Sequence, residues 1–501
     1  MVAANDARLP VLVGTGRRTW HPGADPAPEP LDMWELVARV AADDVGVDRD
    51  VLGAVDDLSV VHCQSWAYDA PARRAAELLG LGHARVHDSI LAGTSPQRLI
   101  DAAASRMIEG SCEVALVVGA EAFATRKRFA RAGEAPPWRF AHPDPPALPV
   151  DLETWYLPTE IAHGVLPAWL TFALLEQARW AHRGGRAEDR RDLAVVLGRL
   201  NAVASANPDA WFRAPAPGEV LVSPSGDNRM VATPYTKRAT AFMDVDMAAA
   251  NLLVTKEVAD RWGVPADRRA YLRGWGFARD EVHIAGRREL ASSPGMRAAT
   301  SEALQAAGVS VDDISAFDLY SCFGSAVQFA CDALGLDVRD RRPITLAGGL
   351  PYHGGPSSNY LGHATSHLLD HLREHPDQLA LTTGVGMHMT KHVAAVWSSA
   401  PGAIYGPHEH GPQRWAATDP GVERTVRDSW TGPASLVAAS VVYGGDGAAT
   451  HVVGICELDD GGRCYVRTTA TEAIAAVRDD SWAGRSVEVV AGGEGINELR
   501  L

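Results

Sequence analysis

The stretch from Thr345 to Ala364, TLAGGLPYHGGPSSNYLGHA, concentrates groups that could do chemistry. His353, His363, Tyr352, Tyr360 and Asn359 can move protons or make directed hydrogen bonds. The five Gly and two Pro among them fix a backbone path with tight turns and close approaches. ATSHLLDHL then becomes apolar at helical spacing. A polar loop therefore feeds a helix N-terminus, a setting suited to an anion or a developing oxyanion. The same residues also read as a long turn with incidental polar side chains.

Other candidates are scattered. Basic clusters at Arg126, Lys127, Arg128 and Arg131, and at Lys237 and Arg238, read either as a solvated face or as contacts to a phosphorylated cofactor. His408 and His410 flank Glu409 in a linker-like stretch, and the pairs His388/His392 and His83/His87 are four residues apart. The two pairs have no evident third ligand and the His-Glu-His run lies in a linker, so no metal site is expected. No G-x-x-x-x-G-K-[ST] loop and no G-x-S-x-G elbow occurs. GTGRR after the first strand lacks the third Gly and the distal acid of a dinucleotide fingerprint.

The elements that must position these groups alternate strand and helix. Arg8–Gly14, Leu58–His62, Arg85–His87 and Val114–Val118 read as strands. Leu31–Val45, Ala72–Leu81 and Leu99–Ile108 read as helices. The segment from about Ala122 to Tyr235 breaks the rhythm with Pro, Trp, Arg and Asp around two helices, Ala168–Arg183 and Arg190–Ala206. It reads as a helical insertion. From Arg269 the first pattern recurs. VVHCQSWAYDAPARRAAELLGLG matches DLYSCFGSAVQFACDALGLD, the LAGTSPQ turn matches GGLPYHGGPSSNY, and VALVVGAE matches LALTTGVG. This is an internal duplication of a βαβαβαβ unit. After Ala400 a Gly/Pro-rich stretch precedes short alternating strands over Ser435–Leu501, which predicts a separable all-β module, barrel-like and of the oligomer-binding type.

Composition sets outer bounds. The 501 residues suggest about three domains. A net charge of −15 argues against general nucleic-acid binding. No secretory signal and no apolar run of membrane-spanning length are read, and six scattered Cys without a C-x-x-C point to reduced thiols in a cytoplasm.

These segments resemble the thiolase superfamily over residues 1–400. LAGTSPQRLIDAAASRMIEGSCEVALVVGAEAF is similar to the thiolase nucleophile loop, helix and strand. DLYSCFGSAVQ resembles the His-Asp-Cys-Phe motif of sterol-carrier-type thiolases, and GGLPYHGGP resembles the Gly-Gly … Gly-His-Pro segment. Together with DNRMVATPYTK, they are similar to a thiolase-like subgroup labelled acetyl-CoA acetyltransferase that carries an extra C-terminal β domain. The resemblance implies an α/β fold of two βαβαβαββ halves in five layers, αβαβα, plus the small barrel-like domain. The implied division is 1–121 completed by 236–265, an insertion over 122–235, a second half over 266–400, and a linker and barrel over 401–501. It also implies a coenzyme A thioester as substrate or ligand, acyltransferase chemistry in lipid metabolism, a cytoplasmic homodimer, and no covalently bound cofactor.

The catalytic positions depart from the family. The nucleophilic Cys, which a helix N-terminus would favour as thiolate, matches Ala92. The residue that holds the catalytic water matches Tyr320, the His of Gly-His-Pro matches Gly355, and the second Cys matches the region Thr383–Gly384. An acyl-cysteine mechanism cannot run on such residues. The remaining candidates for chemistry are Tyr320, Cys322, Tyr352, His353 and His392, with Thr94, Ser95, Gln97, Lys237, Asn359 and Lys391 for coenzyme A. Three readings follow. The first is an acyl-CoA enzyme that makes or breaks a carbon–carbon bond; the superfamily's aldolases, which lack the Cys, act on acyl-CoA side chains and work with a separate barrel-bearing partner, are its variant. The second is a non-catalytic acyl-CoA or lipid binder. The third is a protein that docks a partner through its C-terminal domain.

Overall fold

The computed structural model describes residues 6–23, 26–145, 151–405 and 423–500. His408, Glu409 and His410 lie outside these residues. The chain begins with β1 (Pro10–Thr19), α1 (Pro30–Asp44), β2 (Asp57–Val60), α2 (Pro71–Leu79), β3 (Arg85–Asp88), α3 (Ser95–Glu109) and β4 (Val114–Ala122). The insertion holds α4 (Phe123–Ala132), α5 (Leu152–Trp155), α6 (Pro158–Ala162), α7 (Ala168–His182), α8 (Ala187–Ala206), α9 (Gly218–Val222), β5 (Met230–Ala232) and β6 (Tyr235–Thr236). Next come β7 (Asp246–Thr255) and α10 (Lys256–Trp262). The second repeat follows as β8 (Ala270–Arg279), α11 (Pro294–Ala307), β9 (Ala316–Asp318), α12 (Gly324–Leu334), α13 (Tyr360–Glu374), β10 (Leu379–Gly386) and β11 (Lys391–Ser398).

Strand order shows the duplication directly. The nine-stranded sheet runs β3-β2-β4-β7-β1-β8-β11-β10-β9, and its halves meet where β1 and β8 pair antiparallel at Val11↔Tyr271 and Leu12↔Ala270. β7 and β11 run antiparallel to both their neighbours, as do β1 and β8 at the junction of the halves. The first strand of each half carries a G-x-G for the same steric reason. A Cβ on Gly14 or Gly16 would lie 2.2 or 2.1 Å from the backbone oxygen of Ala41 or Val37 on α1. A Cβ on Gly274 or Gly276 would lie 2.4 or 2.2 Å from that of Ala303 or Ala299 on α11. Without side chains there, an outer helix lies close on each strand. Between the halves, α3 touches β4 and β11, α13 touches β7, β1 and β10, and the two helices touch each other. The layers are αβαβα.

The C-terminal strands β12 (Gly432–Tyr443), β13 (Ala449–Leu458), β14 (Arg463–Thr468), β15 (Ser486–Ala491) and β16 (Asn497–Arg500) close into a five-stranded barrel, because β12 pairs with both β13 and β15. Closure removes unpaired edges. The expectation of an all-β module needs one correction. A helix, α14 (Thr471–Arg478), follows β14 and buries Ala473, Ala476 and Val477, a helical i, i+3, i+4 stripe. Nor does the barrel pack as a freestanding unit. β12 pairs with β5 of the insertion at Val442↔Ala232, and Ala438, Val453, Ile455 and Tyr465 share one core with the insertion and the second half. Among the described residues no helix is long and apolar enough to cross a membrane.

Candidate active site

The α3 N-terminus is the centre of the site. Ala92, 4% exposed, sits just before α3, and its N–H donates to Ser358 Oγ at 3.1 Å. Its neighbour Gly93 is hemmed in. A Cβ there would lie 2.1 Å from the Tyr320 hydroxyl and 2.3 Å from the Val385 carbonyl oxygen. A Cβ on Gly386 would lie 3.2 Å from Ala92 Cβ, 3.3 Å from Lys391 Cβ and 3.4 Å from Thr94 Oγ1. Segments from both halves thus converge on Ala92–Gly93: Tyr320 after β9, Ser358 before α13, and the β10–β11 turn, Gly386–Lys391. These lie at strand ends and at the N-termini of the two central helices, where open α/β sheets build sites.

Tyr320 is held by its backbone N–H, which donates to Thr383 Oγ1 at 2.9 Å, and by its ring, edge-on to Tyr360 at 5.6 Å. Burial, with the nearby Cys322 sulfur, pushes the Tyr320 hydroxyl well above its ordinary range, so it stays a proton donor at neutral pH. Burial also pushes the half-buried Cys322 thiol up, the opposite of what a nucleophilic thiolate needs. Asp318, at the end of β9, pins the glycine-rich loop. It accepts hydrogen bonds from the N–H groups of Leu346 (2.7 Å) and Ala347 (3.1 Å) and from the hydroxyls of Thr345 (3.0 Å) and Tyr360 (3.3 Å).

That loop turns its two named candidates inward. His353 is fully buried, neither ring nitrogen has a partner among the described residues, and burial drives it down to about 4. Its ring contacts His363 at 5.2 Å and His367 at 5.5 Å, and Tyr360 at 5.9 Å. It lies behind Tyr360, whose ring touches both it and Tyr320. Tyr352 is 3% exposed, and its hydroxyl has no partner among the described residues. The carbonyls of both residues are taken by the insertion, at Trp211 N (2.8 Å) and Phe212 N (2.9 Å).

The β10–β11 turn brings in groups from the insertion as well as its own. Thr383 and Gly384, matched to the second thiolase Cys, lie inside β10; the turn that meets Ala92 is further on. His388 stands between Met387 and Met389, both at φ +56°, and its Nε2 meets the Tyr156 hydroxyl at 2.7 Å. Lys391 Nζ lies over the Trp155 ring at 4.7 Å, and burial together with Arg279 lowers its amine to about 8. His392, next along β11, faces the other way. Strand alternation turns it to Asp280 (2.9 Å) and Ser293 (3.2 Å), the pair that caps α11, and its Nε2 also meets the Met389 carbonyl (3.2 Å), so it braces the turn from behind.

The coenzyme A candidates divide similarly. Thr94 lies at the convergence. Ser95 Oγ donates to the Ile90 carbonyl (2.7 Å), Gln97 Nε2 to Asp101 (2.7 Å), and Asn359 Nδ2 to the Gly119 carbonyl (2.7 Å), so each serves the fold. Lys237 is exposed, on a segment that runs past Cys322 through the Ala241 N–H to its carbonyl (3.0 Å). Of the other basic residues, Lys127 pairs with Asp244 and Arg238 with Asp227 on the surface. Ser358, Asp318, Trp155 and Tyr156 escaped the sequence reading, and His388 was weighed there only as half of a metal-ligand pair. Ser358 sat in the glycine loop already singled out, and the two aromatics sat in a Trp-rich insertion with no motif.

The duplicated five-layered body and this convergence at a helix N-terminus define a thiolase-superfamily fold with an extra C-terminal β domain. A monomeric SCP2-thiolase-like protein type 1 from Mycobacterium smegmatis is similar over 99% of both chains, with 27% identity and a TM-score of 0.84. Human mitochondrial 3-ketoacyl-CoA thiolase in complex with CoA covers 80% of this chain and 100% of its own, at 17% identity and TM-score 0.55. An Ltp2-ChsH2(DUF35) aldolase covers 79% and 98%, at 16% identity and TM-score 0.59. No protein-family model and no curated protein matches the chain.

Proposed function

We propose that the protein binds an acyl-CoA thioester and makes or breaks a carbon–carbon bond on it, without a covalent acyl-cysteine. The observation that carries this reading is the placement of the Tyr320 hydroxyl against Gly93, beside an alanine where a thiolase would carry its nucleophile. Tyr320, protonated at neutral pH, donates to the oxygen or carbon that gains charge as the bond changes, and Lys391, with its lowered amine, is the nearby group able to take a proton. The α3 N-terminus adds favourable potential for enolate charge. Support for coenzyme A comes from the thiolase described with CoA, and support for aldol-type cleavage from the aldolase neighbour. We assign Thr94 and Lys391 to the thioester and the exposed Lys237 to the phosphates. Acyl transfer of the thiolase kind and aldol-type cleavage are the two forms this activity can take, in lipid metabolism and in the cytoplasm.

The test is to incubate the protein with a panel of acyl-CoAs and follow product masses. Turnover without an acyl adduct on any Cys supports the reading; an adduct that forms and decays with substrate overturns it. Binding with no turnover supports a second reading, a retired thiolase that only holds acyl-CoA. The Ala92 N–H favours that reading, since it is already engaged by Ser358.

The proposed organisation keeps 1–121 with 236–265, 122–235, 266–400 and 401–501, with the barrel serving its own chain before any outside partner. The homodimer implied by the resemblance stands against a 99%-covering relative described as monomeric. In its favour, β3 leaves an edge of the large sheet, beside which Val86 is 38% and Ile90 67% exposed. Light scattering giving 53.4 kDa would support a monomer, and twice that a dimer.

A further inference from the structure

We propose that Tyr465 of the barrel is a positioning residue: its hydroxyl ties together the two supports that hold the Gly386–Lys391 turn against Ala92. The inference rests on the reading above only in calling that turn part of an acyl-CoA site.

The turn needs support. Met387 and Met389 both take φ +56°, a region that side-chain-bearing residues enter at a cost and keep only when their surroundings hold them there. One support comes from the insertion, where Tyr156 meets His388 at 2.7 Å and Trp155 covers Lys391. The next residue, Leu157, donates its N–H to Glu160 Oε2 at 2.9 Å. The other support is the segment 280–288. Asp280 N–H donates to the Thr390 carbonyl (2.9 Å), and Arg287, 2% exposed, donates through Nη2 to the His388 carbonyl (2.7 Å).

Both supports end on Tyr465, which is fully buried. Its hydroxyl donates to Glu160 Oε1 at 2.6 Å and accepts from the Ala285 N–H at 3.3 Å. The second oxygen of Glu160 meets His283 Nδ1 at 3.1 Å, closing the loop between the two supports. Arg463, on the same face of β14, donates to the carbonyls of Ala285 (3.2 Å), Arg287 and Arg288 (3.3 Å). The barrel therefore grips the segment that grips the turn. A tether serving only to attach the barrel would not need to meet the insertion and the 280–288 segment at one oxygen.

The test uses the full-length chain without ligand. In Tyr465→Phe, hydrogen exchange of peptides covering 386–391 and 155–161 should quicken by about tenfold, roughly the factor for losing one net hydrogen bond, while β4 and β7 keep their protection. Acetylation of Lys391 by acetic anhydride should rise several-fold relative to Lys256. If Tyr465→Phe does not fold, Glu160→Met, which roughly keeps the volume and removes the acceptor of the Tyr465 hydroxyl, is measured in its place and should show the same pattern. Unchanged exchange and labelling in a folded variant overturns the proposal. Failure of the wild-type protein to bind any acyl-CoA overturns the functional reading and leaves the exchange result standing, so the two are distinguished.

Discussion

Replacing Tyr320 by Phe removes one oxygen and leaves everything else that holds the residue. The ring keeps its edge contact with Tyr360 at 5.6 Å, and the backbone N–H keeps Thr383 at 2.9 Å. Among the described residues no hydrogen bond to the hydroxyl is present, so its removal leaves no partner unsatisfied and the fold should lose little. The chemistry should lose far more. Removing a general acid typically slows turnover ~10²–10⁴-fold, or about 3–5 kcal/mol in barrier height. Gly93→Ala offers a second approach to the same oxygen. Its new Cβ would overlap the hydroxyl at 2.1 Å and the Val385 carbonyl at 2.3 Å, and overpacking of this kind costs about 1–3 kcal/mol. The Phe substitution relieves the first overlap and leaves the second. The double variant should therefore be more stable than the sum of the single effects predicts. The assay is single turnover with the acyl-CoA that the panel selects, corrected for folded protein, alongside thermal melting of all four proteins. Wild-type turnover in a fully folded Tyr320→Phe would refute the role of the hydroxyl, and strict additivity of the two changes would refute the contact.

Three further outcomes are expected. Lys391→Met should raise the melting temperature at pH 7: burial holds the folded amine near 8 against about 10.5 unfolded, so its charge opposes folding below pH 8, and the gain should shrink as pH rises from 8 towards 10.5. The same variant should weaken acyl-CoA binding. Acid should destabilise the protein as pH falls from about 6.5 towards 4, because His353, His363, His367 and His388 are all lowered by burial and the unfolded chain binds protons first; His363→Leu should flatten the melting-temperature profile over that window. Finally, proteolytic cleavage between Tyr405 and Glu423 should leave both pieces co-eluting in size exclusion, since the β12–β5 pairing and the buried Tyr465 and Arg463 bind barrel to body; separation of folded pieces would contradict this packing.

Local sequence carried much of this protein. Alternating apolar strands and amphipathic helices, the repeated strand–Cys–helix–LGL pattern and the glycine loop were enough to place the duplicated body, because secondary structure and turn geometry follow from near neighbours. The alanine at the α3 N-terminus was legible from one turn and the helix behind it. Tertiary structure decided the rest. Which face of β11 looks into the site separates Lys391 from His392, and alternation alone cannot say which; the pairing with β8 and the α11 cap decide it. His353 reads as a free imidazole in a loop, yet its fit among His363, His367 and Tyr360 buries it behind Tyr360. Trp155, Tyr156 and Tyr465 enter the argument only because the chain folds back over them, with Tyr465 meeting Glu160 across 305 residues of sequence. No short-range pattern encodes a contact of that span, because it is set by packing of elements that are each specified locally and brought together only in the folded core.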